Sequence, residues 1–464
     1  MLVYSQEVEA MKGIYLVNYS VKGIKSLDED VALSFYKKTL TSDPQDFQNY
    51  NIKGIYGING SGKSAIITSV KIFKNLIINK DYLNNPLIQS QLRELINKKL
   101  LRMDFIGDFF TKLENKSSLY RYEISIVLGK NGKFDIEKEA LSFKAASSRK
   151  EEMMPLFEVK SGKLTFTNSI EQDFGDYIID KTKNLLKTAT VSSFLIDYLL
   201  DLKDKTVNEP VTTGLLMLFL LGLSLYVYLD QADDHADYFI DGIMTELEQE
   251  IDGKDKNSIQ KAIQDVKKLR ANEISIGTRN VLKKNYAKYE ERVSRLYDFI
   301  SIFKRDLKGI DIDKKENKNY YACDLIMDYG EYRINVEFES TGIKKLIQLY
   351  EYFNEMASGN IVFIDELDSN LHDVYLCALL EYLMEHGEGQ LCFTTHNIGP
   401  MDILKRNKKS IDFLSVNHKI YSWTKNGNYS PANLYKSGMI EGSPFNIDSI
   451  DFISAFDAEE GDDE

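Results

Sequence analysis

Hydrophobic and polar positions divide the chain into three textures. Over residues 11–144 short apolar runs alternate with turns. Lys12–Val17 alternates in apolar content and leads through Asn18-Tyr19-Ser20 into a second strand-like piece. Ile52–Tyr56 is a β-branched and aromatic run closing on a glycine-rich turn, and Tyr120–Leu128 alternates again, so each predicts a strand. From Phe174 to Leu307 the pattern is helical. Its clearest segment places Leu282, Tyr286, Tyr289, Val293, Leu296, Ile300, Phe303 and Leu307 at alternating spacings of four and three, an a/d stripe. Such a stripe suits a helix packed on its own domain, with a partner-facing coiled coil as the alternative.

After Gly309 the strand texture returns, at Tyr320–Met327, Tyr332–Phe338, Ile361–Ile364, Leu391–Thr395 and Ile411–Val416. Amphipathic helices are expected at Ile343–Met356 and Tyr375–Met384. Strands alternating with helices predict an α/β fold with a mostly parallel central sheet. The economical arrangement is one α/β domain built from both ends of the chain. Residues 1–150 would form its first part and 308–456 its second. Residues 151–307 would be a helical insertion for oligomerisation or partner binding, and 457–464 an acidic tail.

The 464 residues are 43% hydrophobic and 28% charged, enough apolar side chains for a large core. A formal charge of −13 excludes a protein that coats nucleic acid by bulk positive charge, while leaving room for a local basic groove. Six acids sit in the last eight residues, DAEEGDDE, so nearly half of that charge belongs to a tail expected to be solvated. Cys323, Cys377 and Cys392 are too scattered for a disulfide framework or a zinc module. No basic n-region precedes an apolar core at the N-terminus, so the expected location is cytoplasmic. Val211–Leu229 is nineteen residues without a charge, close to the ~20 that a membrane helix needs. A buried or oligomer-core helix is the favoured expectation for it, and a membrane span the alternative.

The chemistry lies in four short motifs. Gly57-Ile58-Asn59-Gly60-Ser61-Gly62-Lys63-Ser64 follows a strand and precedes a helix beginning near Ala65, as a phosphate-binding loop requires. Glycines let the backbone wrap phosphates with its N–H groups turned inward, and the helix N-terminus adds its positive dipole end. Lys63 would supply charge to the β- and γ-phosphates, and the Ser64 hydroxyl would ligate Mg²⁺. In Asn360-Ile-Val-Phe-Ile-Asp365-Glu366 a buried strand ends in two carboxylates, Asp365 for the metal and Glu366 for the attacking water. Leu367-Asp368-Ser369-Asn370-Leu371-His372 follows directly, and His396 stands thirty residues after Glu366, at the end of a further strand. Glu339-Ser340-Thr341-Gly342 opens an amphipathic helix, where Ser340 can cap the helix and also meet a phosphate.

The ordered set GINGSGKS, ESTG, NIVFIDELDSNLH and TTHN resembles the ABC-type ATPase head of the SMC, RecF and OLD-like families. The resemblance covers roughly residues 11–144 and 308–456. It implies a P-loop ATPase head with ATP and Mg²⁺ as cofactors, the nucleotide held by Gly57, Asn59, Gly60, Ser61, Gly62, Lys63, Ser64 and Ala65. It implies a metal role for Ser64 and Asp365, and catalytic roles for Glu366 and for His396 as γ-phosphate sensor. Ser340 and Gly342 would reach the other subunit's nucleotide across a dimer interface, and Asp368 would also serve nucleotide binding. The signature keeps only the Ser and second Gly of LSGGQ, which implies the SMC-like branch and slow hydrolysis. The Q-loop glutamine has no clear place, since Gln89 and Gln91 lie in helical context.

In size the chain also resembles the stand-alone ATPase subunits of two-gene phage-defence systems such as PARIS, Septu and the abortive-infection ATPases. That implies a homodimer or higher homo-oligomer, a phage protein as trigger, and a separate effector. Sixty-eight residues follow His396, too few for a Toprim domain, so a Toprim or HNH nuclease is expected as a partner. The alternative is a RecF- or SMC-like DNA-maintenance ATPase that binds duplex DNA across its heads.

Overall fold

The computed structural model describes residues 13–36, 47, 49–113, 116–146, 152–167, 172–195, 210–229, 274–369, 371–407, 409–424 and 429–444. The expectations for the acidic tail and for Asn370 concern residues outside this set.

The chain enters through strands β1 (Ile14–Lys22) and β2 (Val31–Ser34), then crosses to β3 (Ile52–Tyr56) and helix α1 (Lys63–Ile78). Helix α2 (Pro86–Leu95) leads into β4 (Arg102–Leu113), β5 (Lys116–Leu128), β6 (Phe134–Ala145), β7 (Met154–Lys160) and β8 (Lys163–Phe166). These five join the first two in an antiparallel sheet ordered β2-β1-β4-β5-β6-β7-β8. Helix α3 (Pro210–Ser224) runs directly into β9 (Leu225–Tyr228). A smaller sheet of β10 (Arg279–Leu282), β11 (Gly309–Glu316), β12 (Tyr320–Asp328) and β13 (Arg333–Asn335) brackets helix α4 (Tyr286–Phe303) in the chain. Then follow α5 (Thr341–Ala357), β14 (Ile361–Ile364), α6 (Asp373–His386), β15 (Gln390–Thr394), β16 (Ile411–Leu414), β17 (Ile420–Ser422) and α7 (Pro431–Lys436).

The central sheet is ordered β17-β16-β3-β15-β14-β9, parallel throughout except for β17. Strands covered on both faces must be apolar at every position, and β3, β14, β15 and β16 are buried along their whole length. Gln390 and Thr394 in β15 and Asp412 in β16 are polar exceptions that find partners, and Lys53 in β3 is a charged one. Its ammonium lies 2.7 Å from the Asp412 carboxylate of the neighbouring strand and donates to the Lys409 carbonyl at 2.5 Å. Burying both charges together is what allows a lysine in that strand.

Helix α1 lies between the two large sheets. Tyr19 and Ser69 share a hydrogen bond of 2.8 Å, and Phe73 packs on the rings of Tyr19, Phe105 and Tyr122. The Gln390 amide clamps the sheets directly, accepting from the Leu16 N–H at 2.7 Å and donating to its carbonyl at 2.9 Å. A register shift falls between Leu16 and Asn18 in β1 at that point.

The middle of the chain departs from the expected helical insertion. Strands β7 and β8 extend the antiparallel sheet, so residues 154–166 belong with what precedes them. The uncharged run 211–229 is not a single helix. It breaks after Ser224 into β9, which pairs with β14 in parallel. A Cβ on Gly222 would press on Ile77 and Ile78 of α1, and one on Gly214 on Leu156 and Leu141. The helix is apolar all round because α1 and the antiparallel sheet enclose it, not because lipid or another subunit does. Among the described residues no helix is long and apolar enough to cross a membrane. The a/d stripe likewise faces inward. Tyr289, Val293, Leu296 and Ile300 are buried, and Phe299 and Phe303 pack on Tyr350, Phe353 and Tyr375. The strand expected over Tyr332–Phe338 is shorter, three residues of β13 followed by a 3₁₀ turn that Asn335 caps.

Candidate nucleotide-binding site

The site is built where parallel strands end. After Tyr56 the loop Gly57–Gly62 turns into α1 under tight steric limits. A Cβ on Gly57 would come within 2.7 Å of the Leu414 carbonyl oxygen. Gly62 has a φ of +103°, and its Cβ would meet Leu27 at 2.6 Å. Only glycine fits either place without moving backbone or the side chain packed on it. Helix α1 carries no acidic residue in its first turn, so its positive N-terminal end remains available to an anion.

Lys63 opens that helix and folds back over the loop, donating to the carbonyls of Gly57 at 2.7 Å and Ile58 at 3.0 Å. Burial pulls its ammonium down to about 8, against the opposing pull of Asp365, Glu366 and Asp368. The same three carboxylates oppose a downward shift at His396, which burial causes first and the Lys63 charge second. Residues scattered from 63 to 396 thus share one electrostatic neighbourhood. Ser64 is half-buried beside Lys63, Ala65 is buried beneath the loop, and Asn59 and Gly60 are exposed at its tip.

At the end of β14, Asp365 is buried and Glu366 exposed. Thr394, in the adjacent strand, donates to Asp365 Oδ1 at 2.5 Å and accepts the Glu366 N–H at 2.8 Å. Glu366 adopts a φ of +49°. Its carbonyl accepts from Lys345 at 2.8 Å and from the Ser369 N–H at 3.1 Å. Asp368 begins the next turn, with one buried carboxylate oxygen that has no hydrogen-bond partner among the described residues. His372 caps α6, its ring nitrogen accepting the Val374 N–H at 3.3 Å.

The residues present fit a magnesium nucleotide. Ser61 Oγ is buried without a partner among the described residues, in a loop whose Cβ-free positions leave the backbone open. Thr394 takes one oxygen of Asp365, and no donor among the described residues takes the other. Lys63, Ser61 and the α1 N-terminus would hold the phosphates, and Ser64 and Asp365 the cation.

The structure does not bring every sequence-derived residue into this cluster. Ser340 caps α5, its hydroxyl accepting the Ile343 N–H at 3.4 Å, with Thr341 exposed and Gly342 half-buried on the first turn. Among the described residues, no hydrogen bond joins Ser340 or Gly342 to the phosphate loop. Gln89 is structural: its amide donates to the Leu83 carbonyl at 2.6 Å and accepts the Phe134 N–H at 2.9 Å. Gln91 is exposed on α2.

Three residues that motif reasoning passed over belong to the site. Thr394 stood in the TTHN motif but drew no role. Lys345 looked like the polar face of an amphipathic helix, yet it is buried against the Glu366 turn. Tyr435, in α7, hydrogen-bonds with the backbone of Gly57, which opposes the rise that burial causes to about 12. Nothing in its local sequence signals that contact.

No curated protein matches the chain. Residues 52–402, from β3 past the turn that carries His396, match the AAA_21 family, an AAA domain described by reference to AbiEii toxin and type IV toxin–antitoxin systems. The matched stretch contains the phosphate loop, both acids of β14 and the histidine that shares their field, and the chain belongs to this family of P-loop AAA ATPase domains.

Proposed function

We propose that the protein is an ATP-binding and hydrolysing switch with an ABC/SMC-like head, acting in antiphage defence through a separate effector. The observation that carries the reading is the mutual field of Lys63, Asp365, Glu366, Asp368 and His396 around one phosphate loop. Bound magnesium would offset phosphate charge as the γ-phosphate departs. Lys63 would bind the phosphates, Asp365 orient the cation, and Glu366 hold and polarise the attacking water. His396, whose basicity burial and the Lys63 charge lower in the free protein, would donate a ring N–H hydrogen bond to the γ-phosphate.

The exposed Ser340 and half-buried Gly342, with no hydrogen bond to the loop of their own chain among the described residues, support a composite site. In it, one copy's α5 N-terminus would meet nucleotide held by another copy. The family's reference to AbiEii toxin supports an abortive-infection setting. A phage protein would be the trigger and a nuclease the effector.

The test is Glu366→Gln, which keeps the shape of the side chain and removes the base. Its ATP turnover should fall at least about 100-fold while an ATP-dependent dimer accumulates in light scattering. Wild-type turnover in that variant would overturn the hydrolytic reading. In cells carrying the chain with its neighbouring genes, Lys63→Ala should abolish protection in a phage plating assay. Unchanged protection would overturn the defence role of the site.

A further inference from the structure

We infer that Lys345 is a positioning residue for hydrolysis: its buried ammonium holds the Glu366 carbonyl and so fixes the turn that presents the Glu366 carboxylate. This rests on the reading of Glu366 as the group that polarises water. Lys345 is 3% exposed, and a buried ammonium needs partners to offset its lost hydration. It donates to the Glu366 carbonyl at 2.8 Å and to the Ser369 hydroxyl, and stands 5.7 Å from the centre of the Tyr228 ring. None of these partners is a phosphate-loop atom. All belong to the strand ends and the turn around the two acids.

The turn needs holding because of its backbone. Glu366 sits in the left-handed region, which residues with side chains seldom adopt without external constraint. Constraint comes from both sides. Thr394 accepts the Glu366 N–H, and Lys345 and the Ser369 N–H converge on its carbonyl. Without the ammonium, the carbonyl side of the peptide keeps, among the described residues, the Ser369 bond alone, and the turn can relax toward ordinary φ. The carboxylate would then swing away, while the phosphate loop and Asp365, held by other contacts, stay in place.

Lys345 also lies five residues after Ser340 on α5, about 7.5 Å along the helix axis. The helix that would meet a second copy's nucleotide therefore reaches its own chain's hydrolytic turn through one side chain.

The test compares Lys345→Met, which keeps the stem and removes the charge, with Lys345→Arg and Glu366→Gln. Turnover of Lys345→Met should fall about 100-fold, as for a reacting group misplaced by an ångström, with the ATP dissociation constant changed less than about threefold. Lys345→Arg should restore part of the turnover. In the Glu366→Gln background, Lys345→Met should cost nothing further, because the carboxylate it positions is already gone. Wild-type turnover in a folded Lys345→Met would overturn the inference, as would an additive loss in the double variant. If Lys345→Met melts too early to assay, Lys345→Arg decides, and a folded arginine variant with no turnover overturns the role. Full turnover in Glu366→Gln would instead sink the reading beneath it.

Discussion

Thr394 and Asp365 sit on adjacent parallel strands and share a 2.5 Å hydrogen bond, the Thr394 hydroxyl donating to Oδ1. The same hydroxyl accepts the Glu366 N–H, so one side chain sets the metal-facing carboxylate and the peptide of the next acid together. Thr394→Val should weaken magnesium-dependent ATP binding about tenfold, by leaving Asp365 free to rotate and a backbone donor unmade. Thr394→Ser should restore it. Calorimetric titration with and without magnesium checks this, and equal losses in both would show that Thr394 supports the fold rather than the cation.

Lys63 predicts a proton balance. Its ammonium titrates near 8 in the free protein, and a polyphosphate beside it would raise that value. ATP binding at pH 8.5 should therefore take up protons, and affinity should fall as pH rises through about 8. Heats measured in buffers of different ionisation enthalpy give the proton count. Lys63→Met should lose the uptake along with most of the affinity.

Glu139 in β6 predicts a pH-dependent stability far from the nucleotide. It is fully buried, accepts from Tyr122 at 3.1 Å and from the Val191 N–H at 3.0 Å, and burial raises it to about 7. Its folded value lies above the unfolded one, so the native state keeps a proton that the unfolded chain releases. Stability should fall as pH rises from about 4.5 to 7, by on the order of 3 kcal/mol. Glu139→Gln removes the ionisation, so above pH 7 it should unfold at higher denaturant concentration than wild type. A variant that tracks wild type across the whole pH range would disprove this.

The Lys53–Asp412 pair predicts an asymmetric cost. Asp412→Ala leaves an ammonium in the central sheet, with only the Lys409 carbonyl of its two described acceptors. Loss of about 3–5 kcal/mol is expected in chemical denaturation, whereas Lys53→Met with Asp412→Leu should recover most of it. Equal destabilisation by the single and double variants would contradict the reading.

The motifs were legible because each is local. A strand, a glycine turn and a helix start within thirteen residues, Ile52–Ser64, and two acids follow four apolar positions in β14. Strand and helix positions in the second half were also readable, since each carries its own period over its own length. The parts that failed are those where one local pattern serves two tertiary settings. Residues 211–229 read as a single apolar helix for a membrane or an oligomer, and the stripe over 282–307 left a partner open. Apolar character says only that water is excluded, and the chain's own α1, sheets and α5 exclude it here.

The sequence by itself determined the loop, the paired acids and their strand, because steric limits and hydrogen-bonding groups there are set by neighbours in the chain. Tertiary structure decided which distant residues share the site. Thr394, Lys345 and Tyr435 reach it from β15, α5 and α7 across contacts of twenty-one or more residues, and β9 became the edge of the nucleotide sheet. Their roles arise from through-space contact and burial, which no spacing along the chain encodes.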